Sequence, residues 1–67
     1  MEKHPPRLFI YSRDVENMTG LSRKTSQGIM RKVRAFFNKQ ANDLVTVIEF
    51  CLFMKLEEHL VRQYLKD

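Results

Sequence analysis

Between Ser12 and Phe37 the chain reads SRDVENMTGLSRKTSQGIMRKVRAFF, two stretches of helical rhythm broken once, at Thr19-Gly20-Leu21. That single break constrains the fold more than any other feature. A glycine after a helix supplies the left-handed residue many helix ends require, and a serine shortly after it is an N-cap candidate. The pattern predicts a short helix from about Arg13 to Met18 or Thr19, a tight turn, and a longer helix opened by Ser22. Ser12 fits the N-cap of the first helix, with Asp14 and Glu16 where the helix dipole favours negative charge. Val15 and Met18 share its buried side. At 3.6 residues per turn the second helix sorts Ile29, Met30, Val33, Phe36 and Phe37 onto one side, with Thr25 and Ser26 extending it backwards. Arg23, Lys24, Gln27, Arg31 and Arg34 fall on the other. Gly28 costs this helix about 1 kcal/mol relative to alanine. It either admits another backbone or is simply tolerated.

The flanking segments have weaker signals. Met1 to Pro6 holds Pro5-Pro6 and reads as a flexible or semi-extended tail, residues 1–6. Lys3 and Arg7 could reach a phosphate backbone from there. Arg7 to Tyr11 has strong β-propensity, is too short for a helix, and is expected to pack extended, pairing with Leu44 to Thr46. Asn38 to Asp43 is an ordinary polar loop. Thr46-Val47-Ile48-Glu49 matches a capping box and opens a third helix to about Met54. Val47, Ile48, Phe50, Cys51, Leu52, Phe53 and Met54 surround that helix almost completely. After a break at Lys55-Leu56, a fourth helix runs from Glu57 to about Lys66, with Leu60, Val61, Tyr64 and Leu65 on one face and His59 opposite.

A shift of 35 residues lays Asp14 and Val15 on Glu49 and Phe50, Leu21 on Leu56, and Met30 on Leu65. The same shift lays Ser22, Arg23 and Lys24 on Glu57, Glu58 and His59. The echo is faint, and a shared amphipathic rhythm of two helix-turn-helix units explains it equally. If both units are helix pairs, only the first opens its second helix with basic residues.

Sixty-seven residues make one domain near the lower limit of unaided folding, and 43% hydrophobic content is enough for a core. One cysteine, Cys51, excludes an internal disulfide and fits a reducing cytoplasm. No secretory leader is visible at Met1 to Tyr11. The richest apolar run, Leu44 to Met54, is too short to span a bilayer and contains Thr46 and Glu49. Net charge is +4, unevenly placed: residues 1–34 hold eight Lys/Arg against three Asp/Glu, a net +5, and residues 35–67 hold four against five, a net −1. The first half would attract a polyanion; a solvated basic face without a ligand explains the same charge.

Catalytic signals are missing. There is no Ser-His-Asp set and no Gly-rich phosphate cradle, and Cys51, His4 and His59 lack metal-ligand spacing. The sequence therefore implies no enzyme, metal or cofactor. Cys51 lies in the most apolar helix, where a buried, inert thiol is expected. The aromatic residues Phe9, Tyr11, Phe36, Phe37, Phe50, Phe53 and Tyr64 mostly follow core periodicity, Tyr11 excepted because it adjoins the basic half. Arginine can bond guanine O6 and N7 bidentately, glutamine can read adenine, and Ser or Thr can contact phosphate. Arg23, Gln27, Arg31 and Arg34 fall within roughly a quarter-turn, as a groove-reading surface requires. Arg13 and Lys32 lie off that stripe, where phosphate or water is the natural partner.

The stretch DVENMTGLSRKTSQGIMRKVR resembles the helix-turn-helix of excisionases and of the N-terminal part of MerR-type regulators. The acidic-then-apolar pair, the TG-L-S turn and the Ser/Arg/Thr-rich helix start carry the likeness, over about residues 8–37. The whole chain also looks like short uncharacterised bacterial proteins. The resemblance implies that Arg23, Lys24, Thr25, Ser26 and Gln27 begin a recognition helix facing base edges or phosphates. The Gly- or aromatic-rich hairpin that follows this helix in such proteins is missing, and Asn38 to Asp43 leaves room only for a rudimentary wing.

These readings combine into an all-α, four-helix helix-turn-helix domain over residues 7–67 with a short extended N-terminal segment. Its expected function is duplex DNA binding through Arg23, Lys24, Thr25, Ser26, Gln27, Arg31 and Arg34, as a cytoplasmic transcriptional regulator or excisionase-like accessory factor. The alternative is a helical protein-binding module using helices 3 and 4. A helix apolar all round must be buried nearly all round, so a homodimer or protein partner is expected through Leu52, Phe53 and Leu65.

Overall fold

Phe9 and Ile10 are extended and form β1, which pairs antiparallel with β2 (Val45–Thr46), Phe9 opposite Thr46 and Ile10 opposite Val45. The computed structural model describes residues 7–65. The expectations for the 1–6 tail, including Lys3 and His4, and for Lys66 lie outside those residues. Four helices follow the strands' rhythm: α1 (Ser12–Thr19), α2 (Arg23–Phe36), α3 (Val47–Met54) and α4 (Glu58–Tyr64). The molecule is mostly helical, but the all-α label is corrected by this small sheet. β-Branched and aromatic residues on both strands favour the pairing, and the Val47 N–H donating to the Leu8 carbonyl at 2.9 Å extends it.

Helix ends follow local chemistry, with one correction. Tyr11, not Ser12, is the N-cap of α1. The reason is Asp14, whose carboxylate accepts from the Tyr11 N–H at 2.9 Å and from Arg7 Nη1 at 2.6 Å, drawing the chain into the helix one residue early. Gly20 caps α1 at φ 75°, donating its N–H to the Glu16 carbonyl. Ser22 caps α2, its hydroxyl accepting from the Thr25 N–H at 3.2 Å. Gly28 has only Arg31 Nη2 near the place of a Cβ, at 3.7 Å, so no backbone passes there and the glycine is merely tolerated.

The capping box of α3 forms as expected: Thr46 Oγ1 accepts from the Glu49 N–H, and Glu49 Oε1 from the Thr46 N–H, both at 3.0 Å. Burial alone pushes the Glu49 carboxyl up, but the Thr46 N–H and the Lys39 ammonium 3.2 Å away outweigh it and hold it below its ordinary value. A carboxyl lowered in the folded state adds stability above its unfolded pKa, and this is lost as pH falls through the folded value. Thr46→Ala should therefore cost about 1 kcal/mol in urea denaturation at neutral pH. Glu49→Gln should cost stability at neutral pH and progressively less as the solution is acidified below the carboxylate range.

The 35-residue echo is structural. α1 shifted by 35 coincides with α3, the start of α2 with the start of α4, and the left-handed Gly20 with Lys55 at φ 60°. Ile10 pairs with its own equivalent, Val45. That is what an approximate two-fold axis through the strand pair demands. The packing follows suit: α1 contacts α2 and α4, and α3 contacts α4 and α2. The core is made of equivalent positions, Ile10 with Val45, Val15 with Phe50, and Met30 with Leu65, joined by Val33, Val47, Cys51 and Val61.

Several side chains expected inside are outside. Phe36 is 66% exposed, because it lies at the last turn of α2 beyond the core and meets Phe37 and Phe53 edge-on. Thr25 is exposed, whereas its neighbour Ser26 is fully buried. On α4, which ends at Tyr64 with Leu65 extended as its C-cap, Val61 is buried while Leu60 and Tyr64 face solvent. Leu65 is buried beyond the helix end, and His59 is exposed as expected. Most telling is α3, which buries Val47, Phe50 and Cys51 but leaves Ile48 and Leu52 in solvent, at 51% and 63% exposure. The expectation of burial all round fails within a single copy, because α2, α4 and the two strands cover only one side of α3. Leu65 is already core, so it is withdrawn as a partner contact.

Candidate nucleic-acid interface

The basic face of α2 begins one residue after its cap. Ser22 holds the first turn, donating its hydroxyl to Thr25 Oγ1 at 3.1 Å while accepting from the Thr25 N–H. Met30 and Val33, buried on the opposite side, lock the helix onto the core. Arg23, Lys24, Thr25, Gln27 and Arg31 are then all exposed on its first three turns. Arg23 is loosely approached by Glu16 at 4.0 Å, with its own side chain 74% exposed, a contact worth little in water. Arg13 and Lys32 are exposed outside this group.

Two expected contacts change role. Ser26 is fully buried and its hydroxyl has no hydrogen-bond partner, so it faces the core and no groove. Its place on the helix wheel, between the directions of Met30 and Val33, decides this. Arg34 is half-buried and donates Nε to the Asp43 carbonyl at 3.0 Å, fastening the 38–43 loop to α2. Asp43 in turn accepts from the Gln40 N–H at 2.9 Å. This loop forms no hairpin of its own; β2, which follows it, pairs with β1, so the rudimentary wing does not form among the described residues. Arg7 is likewise committed to the fold, ion-paired with Asp14 while its carbonyl accepts from Arg62 Nη1 at 2.7 Å.

The start of α1, α2 and the loop enclose a cleft of about 310 Å³ lined by Ser12, Gln27, Met30, Arg31, Arg34 and Ala41. Ser12 and Ala41 carry no sequence signal for this position, since the packing of α1 on α2 brings the one there and the folding back of the loop the other. A second, apolar groove of about 360 Å³ lies between α1 and α4, between Met18, Thr19, Leu60 and Tyr64. It opens because Met18 and Thr19 are smaller than Phe53 and Met54, their equivalents in the second half.

Cys51 is buried, and burial, followed by the charge of Glu58, pushes its thiol up despite Arg62, which leaves it unreactive. Among the described residues no three His, Cys, Asp or Glu side chains converge as metal ligands. No helix among them is long and apolar enough to cross a membrane.

An unpartnered buried hydroxyl costs about 1–3 kcal/mol. Ser26→Ala should therefore hold or raise the melting temperature and leave any nucleic-acid affinity unchanged. A loss of affinity in a stably folded Ser26→Ala protein would return that hydroxyl to the interface.

No known protein family, curated protein or solved structure matches this chain.

Proposed function

We propose that this protein binds duplex DNA by laying the first three turns of α2 in the major groove, as a small transcriptional regulator or excisionase-like recombination accessory factor. One observation supports the reading above the others: Arg23, Lys24, Gln27 and Arg31 stand exposed together on a helix whose far side is fixed in the core. Arginine and glutamine so placed match the donor and acceptor pattern of guanine and adenine, and the lysine and threonine beside them match phosphate. The equivalent start of α4 carries Glu57, Glu58 and His59, so one half of the molecule presents charge that DNA accepts and the other does not. α1, the Gly20 turn and α2 act as the helix-turn-helix, without a wing. Arg34 orders the loop beside the site, and its remaining guanidinium N–H groups serve a phosphate at the cleft.

Selection from random duplex DNA tests this directly. Enrichment of a short motif, lost for Arg23→Ala or Gln27→Ala, is the expected result. Failure to retain any duplex at low salt would overturn it. A second reading, a protein-binding module, draws on the exposed Leu52, Leu60 and Tyr64 and the half-buried Phe53 of α3 and α4. It predicts that the protein passes through a DNA column unretained.

A further inference from the structure

The two halves of this chain provide a control on each other. α1 and α3 do the same structural work at equivalent positions, each capped by a carboxylate accepting from its N-cap N–H and each ended by a left-handed residue. At the outward positions α1 carries Arg13 and Asn17, as a solvated helix should. α3 carries Ile48 and Leu52 there, half or more exposed. The architecture therefore does not require apolar side chains at these positions, and leaving them in water gains nothing for the fold. We infer that the outer face of α3 is a two-fold interface between two copies of this chain.

Area, charge and register point to a second copy as the occupant. Ile48 and Leu52 continue into the half-buried Phe53 and the exposed Phe36, whose ring meets that of Phe53 edge-on at 5.4 Å. Together they offer on the order of 400 Å² of apolar side chain per copy, about half of the roughly 800 Å² each partner gives to a standard interface. The acidic group within the face, Glu49, is already held by Lys39 at 3.2 Å and by the capping box, so association buries no bare carboxylate. In an isologous contact residue i meets j and j meets i. Two α3 helices crossing antiparallel about Leu52 set that side chain against its own copy, with the exposed Ile48 of each copy to either side of it. The face thus complements itself in apolar content and brings no unpaired carboxylate into the contact.

For the DNA reading, such a dimer offers two copies of α2 to a palindromic site. The association itself is measured without DNA, so either proposal can fail alone. Sedimentation equilibrium of the full chain from low to several hundred micromolar should show a species of twice the 8.0 kDa chain mass. The variant Ile48→Arg with Leu52→Asn gives α3 the outward residues that α1 already folds with. It should keep the parent's circular dichroism and weaken association about thirtyfold or more, the effect of losing one interface hot spot. A parent that remains monomeric throughout, or a folded variant that dimerises with the parent's constant, would overturn the interface.

Discussion

Raising salt from 50 to 200 mM should lower affinity for duplex DNA by about a thousandfold. Five or six phosphate contacts give a slope of log K against log salt of roughly −4.5 to −5.5 on B-DNA. The exposed cations Arg13, Arg23, Lys24, Arg31 and Lys32, with Arg34 at the cleft, can supply that number. Charge reversal at Arg31 should weaken binding to every sequence and flatten the slope. Arg23→Ala and Gln27→Ala should instead relax preference at one or two base pairs, by about 1–3 kcal/mol each. Arg34→Ala should act on two levels, because its guanidinium also fastens the Asp43 carbonyl. Fluorescence anisotropy on a selected site at several salt concentrations separates these effects. If every variant binds as the parent does at low salt, α2 is not the contact surface.

Phe50→Ala should leave the protein largely unfolded at 37 °C. Phe50 is the largest fully buried side chain and sits at the centre of the core, on the one helix that packs against both α2 and α4 and against both strands. Removing a buried phenylalanine costs about 3–5 kcal/mol. A domain this small has only about 3–10 kcal/mol in total. Phe36→Ala, by contrast, removes an exposed ring and its edge-on contact with Phe53, a loss of about 1 kcal/mol. Urea denaturation of the two variants decides the matter, and equal destabilisation would mean that Phe36 is core after all. Val15→Ala, the equivalent of Phe50 in the first half, should fall between them.

Much of this fold can be read from short-range chemistry. Gly20, Ser22 and the Thr46–Glu49 pair mark helix ends because capping is settled within four residues by groups adjacent in the chain. The basic stripe of α2 follows from helical periodicity for the same reason, and so does the repeat, since equal spacing of Val15 and Phe50 after their caps requires equal helices. Ser12 lies inside the helix rather than at its cap because Asp14, which accepts from the Tyr11 N–H, is also bound by Arg7, seven residues away.

Periodicity says which residues share a side, but not how far along a helix that side stays covered. Phe36 shares the direction of the core residues of α2 yet projects past the core, and Leu60 and Tyr64 lie beside Val61 and Leu65 over a groove that Met18 and Thr19 are too small to fill. Ser26, placed by periodicity on the core side and by its residue type among the groove contacts, is decided by the packing that buries it completely. Arg34 and Arg7 carry the same charge as Arg23, and only their distances to Asp43 and Asp14 show that they are held by the fold. Helix ends, the repeat and the placing of charge were thus determined by the sequence itself, because each depends on neighbours a few residues apart. The tertiary structure alone decided which cations and which apolar side chains remain free to meet a partner, because that depends on where distant segments come to rest.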